Sequence, residues 1–363
     1  MRICSEWMVA LWVTASASAA IAGEPQFEQV NLVSDQPGHA KFTDPNLINP
    51  WGIARSPDPT PPSEWWSANN GSNTATLYLG DGTAESLIVE TPVNPTGQVF
   101  YGGDKFIVSD MHGNTGPARF IFAAESGTVS AWSPGVPPPG PSKQAFVMYD
   151  ASSAGAILKG LAIATDGKGR TRLYTTDFHN GRVIVLDDEF NEVDLGHHAF
   201  EDRDRREPIP CNYAPFGIAA LDGHLFVTYA EQDADASDDV AGEGHGFISE
   251  YELDGKFVRR VASRGPLNSP WGLTLGPKSF GRFEGELLVG NFGNGKIHGY
   301  KKAGDHFFFD GTLRGEHGKP IVIEGLWSLM PGNDGQAGSS KDLYFSSGPG
   351  DEAHGLFGFL RRW

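Results

Sequence analysis

The chain has 363 residues, 39% of them hydrophobic, with 47 glycines, 25 prolines and a formal net charge of −17. That acidity excludes nucleic acid and anionic membrane surfaces as partners, because both require basic patches. Gly and Pro punctuate alternating apolar segments instead of forming a low-complexity tract, so the chain reads as turn-rich and globular.

The N-terminus comes first. Arg2, an apolar small-residue run over 8–21 and the small-x-small site Ala20-Ile21-Ala22 read as a secretory signal peptide over residues 1–22. The expected destination is therefore secreted or periplasmic. No later stretch approaches the ~18 apolar residues of a membrane span. Cys4 lies in the leader, so Cys211 has no partner for an internal disulfide and, beside Pro210, reads as a small buried apolar residue.

A repeated pattern organises residues 24–363 as one domain. Six times a turn delivers a short apolar strand with a very small residue near its start, at Gly52, Gly97, Ala162, Gly217, Gly272 and Ser328. Successive copies lie about 45 to 65 residues apart, the length of one sheet stretched by loops. Small residues let the innermost strands crowd around a common axis. The pattern predicts an all-β fold, a six-bladed β-propeller of four-stranded blades. The third repeat shows the unit, with strands expected over 161–165, 172–176, 182–186 and, outermost, 193–200. The fifth repeats it over 273–275, 286–289, 296–300 and 306–313. The sixth repeat ends after a third strand over 356–360, while 27–33 is a strand without a blade. The N-terminal strand is therefore expected to complete the last blade and close the ring.

Two resemblances follow from particular residues. The spacing Asp177, Asn180, Arg182 resembles the turn between second and third strands of NHL repeats, and Asn291, Asn294, Lys296 is a softened copy. In such a turn Asp177 accepts amide hydrogen bonds. Over the second half, the runs 214–216, 238–242, 266–272, 287–293 and 324–327 resemble a family of exported bacterial propeller proteins. The family's usual Gly-x-x-Phe-Gly-Asn-Gly run is replaced after Trp327 by 328–333. This resemblance implies the fold and carries no activity.

Function on such a scaffold is expected where strand-start loops and second-strand ends converge on the channel mouth. Strand starts supply Trp51, Thr96, Leu161, Phe216, Trp271 and Trp327; second-strand ends add Asn70, Glu125, Asp177, His179, Glu231, Asn291 and Ser347. Trp51, Phe216, Trp271 and Trp327, ringed by Asn70, Asp177, His179 and Asn291, make a candidate ligand-binding mouth. The alternative is that each ring wedges between adjacent blades as core. Asp233, Asp235, Asp239 and Glu243 form a candidate calcium loop, since hard cations take several oxygen ligands. Asp238 stands where the turn glycine of an EF-hand belongs and Gly244 where its glutamate belongs, so a solvated acidic loop is the competing reading.

No His-Glu-x-x-His, His-x-His, Gly-x-Ser-x-Gly or phosphate-loop motif occurs. The expected function is a non-catalytic propeller that binds a small molecule, glycan or protein through its mouth, as a monomer and without a cofactor beyond calcium. The alternative is a metal-dependent lactonase-like hydrolase. In the gluconolactonase-like family Pro-Asn-Gly and Pro-Asp-Gly turns hold the metal, whereas here the turns read Pro50-Trp51-Gly52, Pro215-Phe216-Gly217 and Pro270-Trp271-Gly272. Aromatic rings supply no oxygen ligands.

Overall fold

The computed structural model describes residues 26–57 and 62–363; the proposed signal peptide and Cys4 lie outside the described residues. Six sheets surround one axis. Their innermost strands are Pro50–Ala54, Pro95–Phe100, Leu158–Thr165, Tyr213–Leu221, Pro270–Leu275 and Leu326–Pro331, one for each repeat read from the sequence. Each pairs antiparallel with the next strand outward, as in blade one, where Pro50–Ala54, Trp65–Asn69, Thr74–Tyr78 and Ala84–Glu90 follow in order.

The small residues do what the pattern requires. A side chain added at Gly52 would sit 2.6 Å from the backbone of Thr96 and Gln98 in the next blade. Equivalent backbone approaches occur at Gly97, Gly160, Gly217 and Gly272. At the sixth copy Ser328 keeps a side chain, whose Oγ accepts a hydrogen bond from Ile53 N at 3.2 Å across the closing seam. The third crowded position is thus Gly160, two residues before the expected Ala162.

The ring closes as expected. Phe27–Ser34 runs antiparallel to Leu356–Arg362, adding the fourth strand to blade six, and Phe42–Thr43 adds a short parallel fifth. Phe27, Leu32 and Val33 of this strand are buried. The strand expected over 193–200 does not form. Blade three has three strands, and after a single bond from Val193 N to Val185 O the chain leaves the sheet. Gly196, at φ 91°, turns it away toward blade four, where Phe200 packs on Tyr251 and Asp202 pairs with Arg260 at 2.7 Å. Cys211 is exposed in this excursion, not buried as its neighbours suggested.

Apolar packing follows the architecture. Six buried clusters each join the facing sheets of two neighbouring blades; Trp66, Phe120 and Trp132 fill the seam of blades one and two, for example. A seventh cluster lies on the axis.

Candidate functional site

The axial cluster is built by a repeated irregularity. Every inner strand is bulged against its neighbour at the level of its small residue. A bulge re-aims side chains that regular pleating would send between sheets. With the register corrected at Gly160, the residues preceding the six small positions are Trp51, Thr96, Lys159, Phe216, Trp271 and Trp327. The member of the ring from blade three is therefore Lys159 instead of Leu161.

The four aromatic rings meet one another, not the blade faces. Trp51 stacks on Trp327 with centroids 3.5 Å apart, Trp271 meets both edge-on at 6.1 and 5.6 Å, and Phe216 lies 6.1 Å from Trp327. Phe178 and Phe292 extend the stack. All four are buried, Trp271 the most open at 8%. They form a layer across the axis, neither an open ring nor a set of wedges between blades. The indole Nε1 groups of Trp51 and Trp271 are buried without a partner among the described residues.

Above this layer lies a charged cluster. The side chain of Lys159 is 1% exposed, yet its Nζ donates to Glu125 Oε1 at 2.6 Å and Asp238 Oδ1 at 3.0 Å. It also lies 5.0 Å from the Trp51 ring. Burial pushes the Lys159 pKa down, but the two carboxylates outweigh it and the amine is held charged. Asn70 Nδ2 donates to Glu125 Oε2 at 2.9 Å. Asn49 links the cluster to the rings: its Nδ2 donates to Glu352 Oε2 at 2.6 Å and its Oδ1 accepts from Trp327 Nε1 at 3.0 Å. Burial raises Glu352 to about 7 and Asp239 to about 6. A carboxyl that titrates near neutrality beside a fixed ammonium is able to switch between donor and acceptor.

The acidic insertion of blade four crosses the mouth. Gln232 bridges to Asp239 and donates to Phe178 O at 2.6 Å, and Gly242 N donates to Asn268 Oδ1 at 2.8 Å. The four acids of the expected calcium loop do not converge. Asp233 Oδ1 accepts from Ser237 N and Asp238 N, Asp235 and Glu243 are exposed, and Asp239 turns inward. Among the described residues no group of three or more His, Cys, Asp or Glu is placed to hold a metal ion. Asp238, which breaks the calcium pattern, is the loop residue that reaches the axis.

Other expected site residues remain in their own turns. Asp177 is fully buried and accepts from Ile157 N, Asn180 and Arg182, the role its NHL-like spacing implies. Asn291 donates to Pro266 O at 2.8 Å, its Oδ1 unpartnered, and His179 is exposed on the rim. Asn70 and the four rings come together; Asp177, Asn291 and His179 do not join them. Lys159, Asn49 and Glu352 were missed. The Lys159-Gly160 pair, matching Trp51-Gly52, was the available signal for the first.

No family model matches the chain. Among solved structures, the soluble aldose sugar dehydrogenase of Escherichia coli in its apo form aligns over 93% of this chain and 100% of that one, with a TM-score of 0.55 at 13% identity. A glucose dehydrogenase aligns over 92% and 99% with a TM-score of 0.51 at 14% identity. At such identities the likeness shows the propeller fold alone. In sequence, two uncharacterized proteins of Acanthamoeba polyphaga mimivirus are far nearer. One is 33% identical over 91% of this chain and 78% of its own length, the other 31% identical over 91% and 84%. These relatives are viral, where the motifs resembled an exported bacterial family. The chain belongs to the β-propeller family that includes these two mimivirus proteins.

Proposed function

We propose that this protein is an exported propeller that binds a small polar ligand, bearing hydroxyl or ammonium groups, at the axial mouth beneath the acidic loop. One observation carries the reading: Lys159 is buried on the axis between Glu125 and Asp238, with Glu352 and Asp239 close by. A closed ring of sheets has no structural need for this arrangement, because buried ion pairs are replaceable by apolar packing at little or no cost. Charges drawn from several blades to one point instead mark a recognition site. Acidic groups outnumber the single ammonium, which favours ligands that donate hydrogen bonds.

The lactonase-like alternative receives no support from the residues present. Aromatic rings hold the turn positions where that family places oxygen ligands, and an ammonium already engages Glu125 and Asp238. The test is a thermal-shift panel of sugars, polyols and amines. Compounds that raise the melting temperature of the native protein are expected to lose most of that shift in Asp238→Asn, whose side chain is 71% exposed and whose replacement leaves Lys159 paired with Glu125. Shifts of equal size in both proteins would place binding elsewhere.

A further inference from the structure

The inner strands enclose a second space on the far side of the aromatic layer, a cavity of about 340 Å³ lined by all six blades. Immediately after the small positions the chain carries Ile53, Gln98, Leu161, Ile218, Leu273 and Leu329. Five of these are aliphatic and one is an amide. Gln98 is 5% exposed, lines the cavity, and neither its Oε1 nor its Nε2 has a partner among the described residues. Trp271 also lines the cavity, and its Nε1 is likewise unpartnered. Farther along the strands the lining residues Val99, Ile163, Ala219 and Met330 are only half-buried, so the space opens toward that face.

A buried amide without partners is costly, and a sixth aliphatic residue would avoid the cost. We infer that this channel is a binding site for a short aliphatic molecule with a neutral polar head, a hydroxyl or carboxamide, which enters head first and hydrogen-bonds to Gln98. The head must both donate and accept to satisfy Gln98 Oε1 and Nε2, and a further acceptor lone pair suits Trp271 Nε1. A carboxylate head is disfavoured. Lys159 is engaged on the opposite side of the rings, and Arg55, which lines the space two residues farther along the strand than Ile53, has Nε bound to Pro331 O at 2.8 Å, so a carboxylate that reaches Gln98 head first leaves that cation behind at the outer end. The aliphatic walls fit the body, and the volume falls at the low end of the roughly 300–1,000 Å³ of small-molecule sites. This site is independent of the one at the mouth.

Calorimetric titration of the mature protein with hexanamide, 1-hexanol and sodium hexanoate tests the inference. The amide and the alcohol are expected to bind, the hexanoate at least about tenfold more weakly. Gln98→Leu and the nearly isosteric Gln98→Met are each expected to weaken the first two by at least about tenfold, through loss of the head's neutral hydrogen bonds to Gln98 Oε1 and Nε2. Both variants are expected to melt at or above the native temperature, because an unpaired polar group has been removed. Absence of binding to the native protein would mean that the channel holds only water, and equal affinity in the variants would mean that binding does not use Gln98; either result would overturn the inference.

Discussion

Lys159 sets the energetics of the axis. Its ammonium is shielded from water and balanced by Glu125 and by the more open Asp238, so removing it leaves the Glu125 carboxylate, 22% exposed, without its cation. Lys159→Ala is expected to cost about 3–5 kcal/mol in chemical denaturation, the usual penalty for breaking one partner out of a buried pair. Glu352 gives a pH signature. Burial raises its folded-state pKa from 4.5 to about 7, so between those values the folded protein binds more protons than the unfolded chain. Its contribution to stability is therefore lost as pH rises from about 4.5 to 7. Glu352→Gln is expected to flatten the fall in stability over that window by on the order of 2 kcal/mol, measured as melts at pH 5 and 8. An unchanged pH profile would mean that Glu352 stays ionised beside Asn49. Lys159 carries one signal in the sequence, the Lys159-Gly160 pair that matches Trp51-Gly52, masked by the small residue Ala162 two positions on; Glu352 carries none. Glu352 meets Asn49 across 303 positions, and both adopt left-handed backbone, at φ 65° and 46°, so neither the pairing nor the conformation is written in a local pattern.

At the scale of elements, what the sequence carried was what is locally encoded. The six inner strands and the strand of residues 27–33 follow from alternation and small residues, and all form. What it did not carry depends on neighbours. The segment 193–200 has alternating apolar residues, yet Phe200 finds better burial against Tyr251 of blade four than at a sheet edge. The four axial rings looked equally suited to the seams. Their place on the axis comes from the bulge in every inner strand, a feature of pairing that no single segment reveals. The closing strand gives an element-scale prediction. Deleting residues 26–34 exposes the edge of Leu356–Arg362 and removes the buried side chains of Phe27, Leu32 and Val33. At ~1.5–3 kcal/mol for each large side chain, the melting temperature is expected to fall by on the order of 10 °C or more. A truncated protein that melts at the native temperature would show that the ring closes without this strand.

Across the whole molecule, stability and recognition are separated. Six apolar seams hold the blades together, while charge is gathered at one end of the axis, above an aromatic layer that divides the mouth from the channel. This division permits a direct test. In Lys159→Met/Glu125→Gln/Asp238→Asn the ammonium and its two carboxylate partners are replaced together, so none of the three is left unpaired and the fold is expected to retain its native melting temperature to within a few degrees. The measurement is the melting temperature of this variant and of the native protein across the same panel of sugars, polyols and amines. Compounds that stabilise the native protein are expected to leave the variant unmoved. A panel in which no compound distinguishes the two proteins would contradict it, and would assign the axial charges to architecture alone.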